Sequence, residues 1–271
     1  MPISHDRNRK ANHLVVEGIA AGYDGNLVIR EVSVSVGLGE VAALLGPNGS
    51  GKSTILKAVT GQIRVQSGTV TVNGVNVTNK RSEDLADLGI GYIPQENDVF
   101  APLTVHENLI MGGMLLKKRD ARSRVEEMYD RFPTLTPLRH GAAGRLSGGE
   151  RKILAMARVL IMKPSVLLLD EPTANLSPIA TKNVLSNVVR QVADEGTAVF
   201  IVEQKALQTL EIADWAYVLV AGSVQVSMPA VELVGRGDIG ELFLGKAPTV
   251  MEEGASREVG AKRGVTDESN R

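Results

Sequence analysis

Two hydrophobic periods alternate along the chain. In 13–20 (HLVVEGIA) and 27–36 (LVIREVSVSV) β-branched residues dominate, and the second run alternates in part, which predicts strands. The stretch 40–45 (EVAALL) is short and apolar throughout, as expected of a strand buried on both faces. Residues 52–61 (KSTILKAVTG) read as a helix closed by Gly61, and 68–77 (GTVTVNGVNV) as a hairpin turning at Asn73-Gly74. A short helix over 81–88 and a strand over 89–94, stopped by Pro94, follow. From about 96 to 163 the helical period takes over, in 104–116, 122–132 and 149–162, with proline-containing breaks between. Strand and helix then alternate again: 165–170, 179–196, 197–203, 205–214, and strands around 215–226. This order predicts one α/β domain with a helical insertion over about 96–163, rather than two independent domains.

The ends lack either period. Residues 1–12 are polar and 246–271 are charged and aperiodic, so both are expected to be disordered tails around a folded domain of 13–245. The N-terminus has no apolar core of a signal peptide, and no run of about eighteen apolar residues occurs. The expectation is a cytoplasmic, soluble chain. A net charge of -1 gives no reason to expect nucleic-acid binding through bulk charge, and the absence of cysteine removes disulfides and thiolate chemistry.

Candidate chemistry begins at 44–54 (LLGPNGSGKST). Gly46, Gly51, Lys52 and Ser53 satisfy G-x-x-x-x-G-K-[ST], between a predicted strand and a predicted helix. Unpaired N–H groups at a helix start suit phosphate, and glycines let the backbone wrap it. Gly46, Pro47, Asn48, Gly49, Ser50, Gly51, Lys52, Ser53 and Thr54 are therefore expected to cradle a nucleoside triphosphate, with Lys52 on the β- and γ-phosphates and the Ser53 hydroxyl on Mg²⁺. The bland alternative is a glycine-rich turn with a surface lysine; the four fixed positions match by chance in roughly one chain in a hundred. Asp170, after four apolar residues in VLLLDEP, is the candidate to hold Mg²⁺ through water, and Glu171 to polarise the attacking water as general base. Alone, that tripeptide is equally well a turn ending a strand. A guanine-reading N-K-x-D element is not formed at Asn79-Lys80, because Ser82 stands at its last position.

The stretch 146–160 (LSGGERKILAMARVL) narrows the class. Ser147-x-x-Glu150 is a capping box, which leaves Gly148 and Gly149 unexplained. Ser-Gly-Gly opening a helix before an Asp-Glu strand resembles the signature motif of ABC-type ATPases. The resemblance spans roughly 13–245 and implies a P-loop NTPase of the ABC ATPase type: a RecA-like mixed-sheet core, an antiparallel β subdomain and a helical subdomain insertion. It implies that Ser147, Gly148 and Gly149 act in trans on ATP held by another subunit. It further implies that Gln95, in YIPQENDVF, contacts Mg²⁺ and the γ-phosphate, and that Tyr23, in AGYDGNLVI, stacks on adenine. Two positions depart from the family pattern: Ser177 stands for the D-loop aspartate and Gln204 for the switch histidine. A glutamine amide still donates a hydrogen bond to phosphate but does not titrate near neutral pH.

Within the family, 89–112, the VEQ of 202–204 and the ending from 206 are similar to one ATPase subunit of branched-chain amino-acid importers. Such importers pair two ATPase subunits with permeases and a substrate-binding protein, at the inner face of the membrane. Urea and amide importers use a close relative. Glu150-Arg151-Lys152 departs from the glutamine-rich signature of that subgroup; GGER (148–151) and PQEN are similar instead to the ATPase of lipopolysaccharide export, which retains the switch histidine, and iron–sulfur cluster assembly is the non-transport alternative. His5, His13, His106 and His140 lack ligand spacing, Trp215 reads as core, and Lys117-Lys118-Arg119 reads as a solvated loop or a permease or lipid contact. Met111 and Met114 fit either core or a soft groove for a permease helix.

Overall fold

In a computed structural model, residues 12–236 and 240 are described. Both expected tails lie outside them, apart from Asn12, which already belongs to the first strand because its backbone pairs with Gly37.

Two sheets form. Strands β1 (Asn12–Tyr23), β2 (Asn26–Gly37), β4 (Val65–Val72) and β5 (Val75–Asn76) make an antiparallel sheet in the order β2-β1-β4-β5. Its β4–β5 turn is the expected Asn73-Gly74, at φ 52° and 76°, and Asp24-Gly25 turns β1 into β2 at 49° and 81°. The second sheet runs β10-β9-β3-β8-β7-β6, from β3 (Val41–Leu45), β6 (Ile90–Ile93), β7 (Val166–Asp170), β8 (Ala198–Glu203), β9 (Trp215–Val220) and β10 (Ser223–Pro229). Its strands are parallel except for β10. The Tyr217 phenol of β9 ties the sheets together: it accepts from Ser35 N at 2.9 Å and donates to Ser35 O at 3.1 Å.

Every residue of β3, β7 and β8 is buried, which accounts for their unbroken apolar runs. Alternate residues feed two cores. Ala43, Leu167 and Ile201 pack toward the helical insertion; Leu44, Leu168 and Phe200 pack toward α1 (Lys52–Val59) and the antiparallel sheet.

The insertion between β6 and β7 carries α3 (Val105–Gly112), α4 (Lys118–Arg131) and α5 (Gly148–Leu160), preceded by the four-residue α2 (Ser82–Leu85). Its first helix starts where the sequence predicts it, at Thr104, after a loop over 96–103. The loop is held by Asn108, fully buried, whose amide accepts from Phe100 N at 2.8 Å and donates to Phe100 O at 3.0 Å and Thr104 O at 2.9 Å. Thr104 and Glu107 then start α3 with a capping box. After β7, α6 (Pro178–Lys182), a π-helical stretch (Asn183–Val189) and α7 (Arg190–Asp194) are consecutive. The helix predicted over 205–214 shrinks to α8 (Ala206–Leu210), since Arg190 holds the following turn through Ile212 O at 3.3 Å and Asp214 Oδ2 at 2.8 Å. Helix α9 (Ala230–Val234) closes the described fold. Among the described residues no helix is long and apolar enough to cross a membrane.

Candidate nucleotide site

The loop between β3 and α1 needs its glycines for separate reasons. A Cβ on Gly46 would stand 2.3 Å from the Leu219 carbonyl oxygen, and one on Gly51 2.7 Å from Ile29 Cγ2. Gly49 and Gly51 also sit at φ 77° and 105°, where L residues are disfavoured, and nothing lies within 4 Å of the missing Cβ at Gly49. The backbone is thus open on the side of a cavity of about 660 Å³. Asn48, Gly49, Gly51, Lys52, Ser53 and Thr54 border that cavity; Gly46, Pro47 and Ser50 do not.

Lys52 is buried, and its ammonium donates to Gly46 O at 2.9 Å and Pro47 O at 3.0 Å. It also stands 3.5 Å from Glu171 Oε1. The Ser53 hydroxyl donates to Asp170 Oδ1 at 3.1 Å, and the Tyr92 hydroxyl approaches Oδ2 at 3.5 Å. Burial raises the Asp170 pKa, with the Ser53 hydrogen bond opposing and Glu171 adding to the shift. Gln95 Nε2 donates to Glu171 Oε2 at 3.1 Å, so both oxygens of Glu171 are engaged. Glu171 itself adopts φ 43°, a left-handed backbone that costs a glutamate about 1–3 kcal/mol and persists only where its surroundings over-determine it.

Gln95, Glu171 and Gln204 border the same cavity as Lys52 and Ser53. Residues 29–174 match the family described as ABC transporter, just over half of the chain. The chain belongs to the ABC transporter family. Its relatives include the protein named Probable branched-chain amino acid transport ATP-binding protein LivF of Archaeoglobus fulgidus, 40% identical over 225 residues that cover 83% of this chain and 95% of that one. High-affinity branched-chain amino acid transport ATP-binding protein BraG of Pseudomonas aeruginosa is 35% identical over 232 residues, covering 86% and 99%. Among solved structures, a nucleotide-free ATP-binding cassette from an ABC transporter superposes with a TM-score of 0.77 at 25% identity, over 87% of this chain and all of that one. The α/β architecture with mixed and antiparallel sheets is that of this ABC ATPase family.

Two elements of the ABC pattern stand apart from the cavity. Ser147, Gly148 and Gly149 cap and open α5, with Ser147 N donating to Glu150 Oε2 at 2.8 Å, and none of the three borders it. Gly148 faces a neighbouring cleft of about 360 Å³, shared with Gln95 and Asn175. Tyr23 is 41% exposed at the end of β1, outside the cavity lining, with the Lys57 ammonium 5.8 Å from its ring centroid. Ser177 is the N-cap of α6 and accepts from Ala180 N at 3.3 Å, a task an aspartate would also perform.

The donors fit Mg²⁺. It takes few protein ligands, all hard oxygens, and completes its shell with phosphate and water. A serine hydroxyl and a carboxylate meeting beside the phosphate loop match that need. No cluster of three or more histidine, aspartate or glutamate residues suited to a metal occurs among the described residues.

Three residues that the sequence reading passed over belong here. Lys152 is buried and pairs with buried Asp98 at 2.7 Å while donating to Gln95 O at 3.0 Å, joining α5 to the segment of Gln95. The third, Glu203, borders the cavity although it is only 2% exposed. Its signal was available, because it ends the apolar run of β8 as Asp170 ends that of β7.

Proposed function

We propose that this chain hydrolyses MgATP to drive uptake of branched-chain amino acids through a membrane permease, working as one of a pair of ATPase subunits. The observation that carries the reading is the convergence of Lys52, Ser53, Gln95 and Glu171 on one cavity at the C-terminal ends of β3 and β7, with Asp170 hydrogen-bonded to Ser53 beside it. The likeness to LivF and BraG over nearly their whole length supports the solute.

ATP enters with its phosphates on the backbone amides of 46–53 and its adenine against Tyr23. The phosphates compete with Glu171 and the loop carbonyls for Lys52, which releases Oε1 of Glu171. Ser53 and Gln95 would hold Mg²⁺, with Asp170 acting on it through water, and the bound ion would supply neutralisation of phosphate charge. Water attacks the γ-phosphorus, its proton passes to Glu171 Oε1, and the bond to the β-phosphate oxygen breaks. Gln204 donates its amide to the γ-phosphate in the place of the usual histidine. Ser147, Gly148 and Gly149 close on the nucleotide of the opposing subunit, which fits their separation from this chain's own cavity.

Energy passes to the permease through the insertion. Phe100, Ile110, Met111, Met114 and Leu115 are exposed there, so Met111 and Met114 favour the groove over the core. The pair is held at the cytoplasmic face of the membrane by that contact, with a substrate-binding protein on the far side.

The test is to purify the full chain with its membrane partners, reconstitute them in vesicles and measure ATP-driven uptake of labelled leucine. Recovery of the chain with lipopolysaccharide-export or cluster-assembly proteins, or hydrolysis that never supports leucine uptake, overturns the assignment.

A further inference from the structure

Glu203 has three hydrogen-bond donors and no role in the mechanism above. Its Oε1 accepts from Thr173 N at 2.8 Å and from Thr173 Oγ1 at 2.7 Å, and its Oε2 accepts from Gln204 N at 3.2 Å. Thr173 is fully buried and lies two residues beyond Glu171, in a turn closed by Ala174 N donating to Glu171 O at 3.0 Å. The same turn is tied to β8 and its continuation at two further points: Glu171 N donates to Val202 O at 2.9 Å, and Lys205 Nζ donates to Thr173 O at 3.0 Å. One carboxylate thus joins the turn that holds the catalytic base to the first residue beyond β8.

We propose that Glu203 is a positioning residue that fixes the left-handed backbone of Glu171 and the backbone of Gln204 relative to each other, so that both meet the γ-phosphate in register. This rests on the reading of Glu171 as general base. The physical case is over-determination. A glutamate at φ 43° relaxes unless its neighbours forbid it, and the Glu203 clamp fixes the adjoining turn through Thr173. A carboxylate suits the place because all three facing groups are donors, and it accepts through both oxygens. Burial is a cost: it raises the Glu203 pKa, with the Thr173 and Gln204 hydrogen bonds opposing and nearby Glu171 adding to the rise. A charged group kept in so buried a place, where an apolar residue would pack without that cost, is explained by what it orients.

The experiment compares full-length wild type, Glu203→Gln, Glu203→Asp and Glu171→Gln for steady-state hydrolysis, affinity for a fluorescent ATP analogue, and thermal midpoint. Glutamine keeps the shape but turns one acceptor into a donor facing a donor; aspartate keeps the charge but falls one methylene short. For Glu203→Gln we expect kcat to fall at least about 30-fold, with KM and analogue affinity within about twofold, since orientation acts on the transition state. Glu203→Asp should fall between. A loss of kcat that merely follows lost folded protein or lost nucleotide binding overturns the proposal, as does a Glu203→Gln enzyme as fast as wild type. Glu171→Gln separates the two readings: if it hydrolyses normally, the base assignment falls; if it is inactive while Glu203→Gln is not, only the positioning role falls.

Discussion

In the six-stranded sheet, β3, β7 and β8 bury every residue and carry charge only at C-terminal ends, whereas in the helical insertion α3 and the turn after it leave Ile110, Met111, Met114 and Leu115 exposed. The sheet is self-contained. Its apolar residues have found partners within the chain, and of its charged ends Glu203 borders the cavity while Asp170 accepts a hydrogen bond from Ser53, which lines it. The insertion is not: α4 is strongly charged, and exposed methionine and leucine stand beside it. A large apolar side chain left in water is common singly, but several together mark a surface awaiting a partner. The proposed chemistry and the proposed coupling therefore fall in different regions of one chain, and substitutions should separate them.

The largest expected effect falls on the sheet side. Glu171→Gln removes the proposed proton acceptor while keeping volume and the contacts to Lys52 and Gln95 in part. Hydrolysis should drop about 10³-fold, within the range of general-base losses, while ATP binding persists. Phosphate release and analogue binding on the same preparation check it. A variant that hydrolyses at half the wild-type rate would move the proton elsewhere and leave the sheet without its assigned chemistry.

Next comes the seam between the two regions, where Lys152 of α5 meets Asp98 with both side chains under a tenth exposed. Lys152→Ala leaves a buried carboxylate without its cation and frees Gln95 O, and should cost about 3 kcal/mol in urea unfolding. The double change Lys152→Met with Asp98→Leu should recover most of that stability, because a well-packed apolar pair avoids the desolvation cost. If the double variant regains stability but hydrolysis stays low, the pair serves register between α5 and Gln95 rather than stability. If both recover, it is a structural pair alone.

Much of this division can be read from the sequence, and the rest fails for definable reasons. Apolar runs announced β3 as a strand covered on both faces and β7 as a strand ending at Asp170, and Asn73-Gly74 announced its hairpin. Ser147-x-x-Glu150 and the glycines within it were legible because helix capping is local chemistry. What holds the loop over 96–103 was not, since that is the buried side chain of Asn108 and no local propensity. The Lys152–Asp98 pair joins residues far apart in the chain, and no periodicity reports such a contact. Glu203 shows in the sequence only as the charge that ends an apolar run; its partner Thr173 lies 30 residues earlier, a contact no local pattern reports.

The smallest effect on the isolated chain should come from the insertion's exposed face. Met114 and Leu115 are 67% and 64% exposed, so exchanging both for serine removes little buried area and should change unfolding stability by less than about 0.5 kcal/mol. Basal hydrolysis by the purified chain should likewise stay at the wild-type rate, because neither side chain borders the cavity. In the reconstituted complex the same variant should lose permease affinity and leucine uptake, since the apolar area it removes is buried only on docking, at about 25 cal/mol per Å². Uptake and permease recovery matching wild type would place the docking surface elsewhere, on Phe100 or the opposite side of α3. A variant that loses basal hydrolysis as well would show that the insertion supports the chemistry directly, and the division between the two regions would fail.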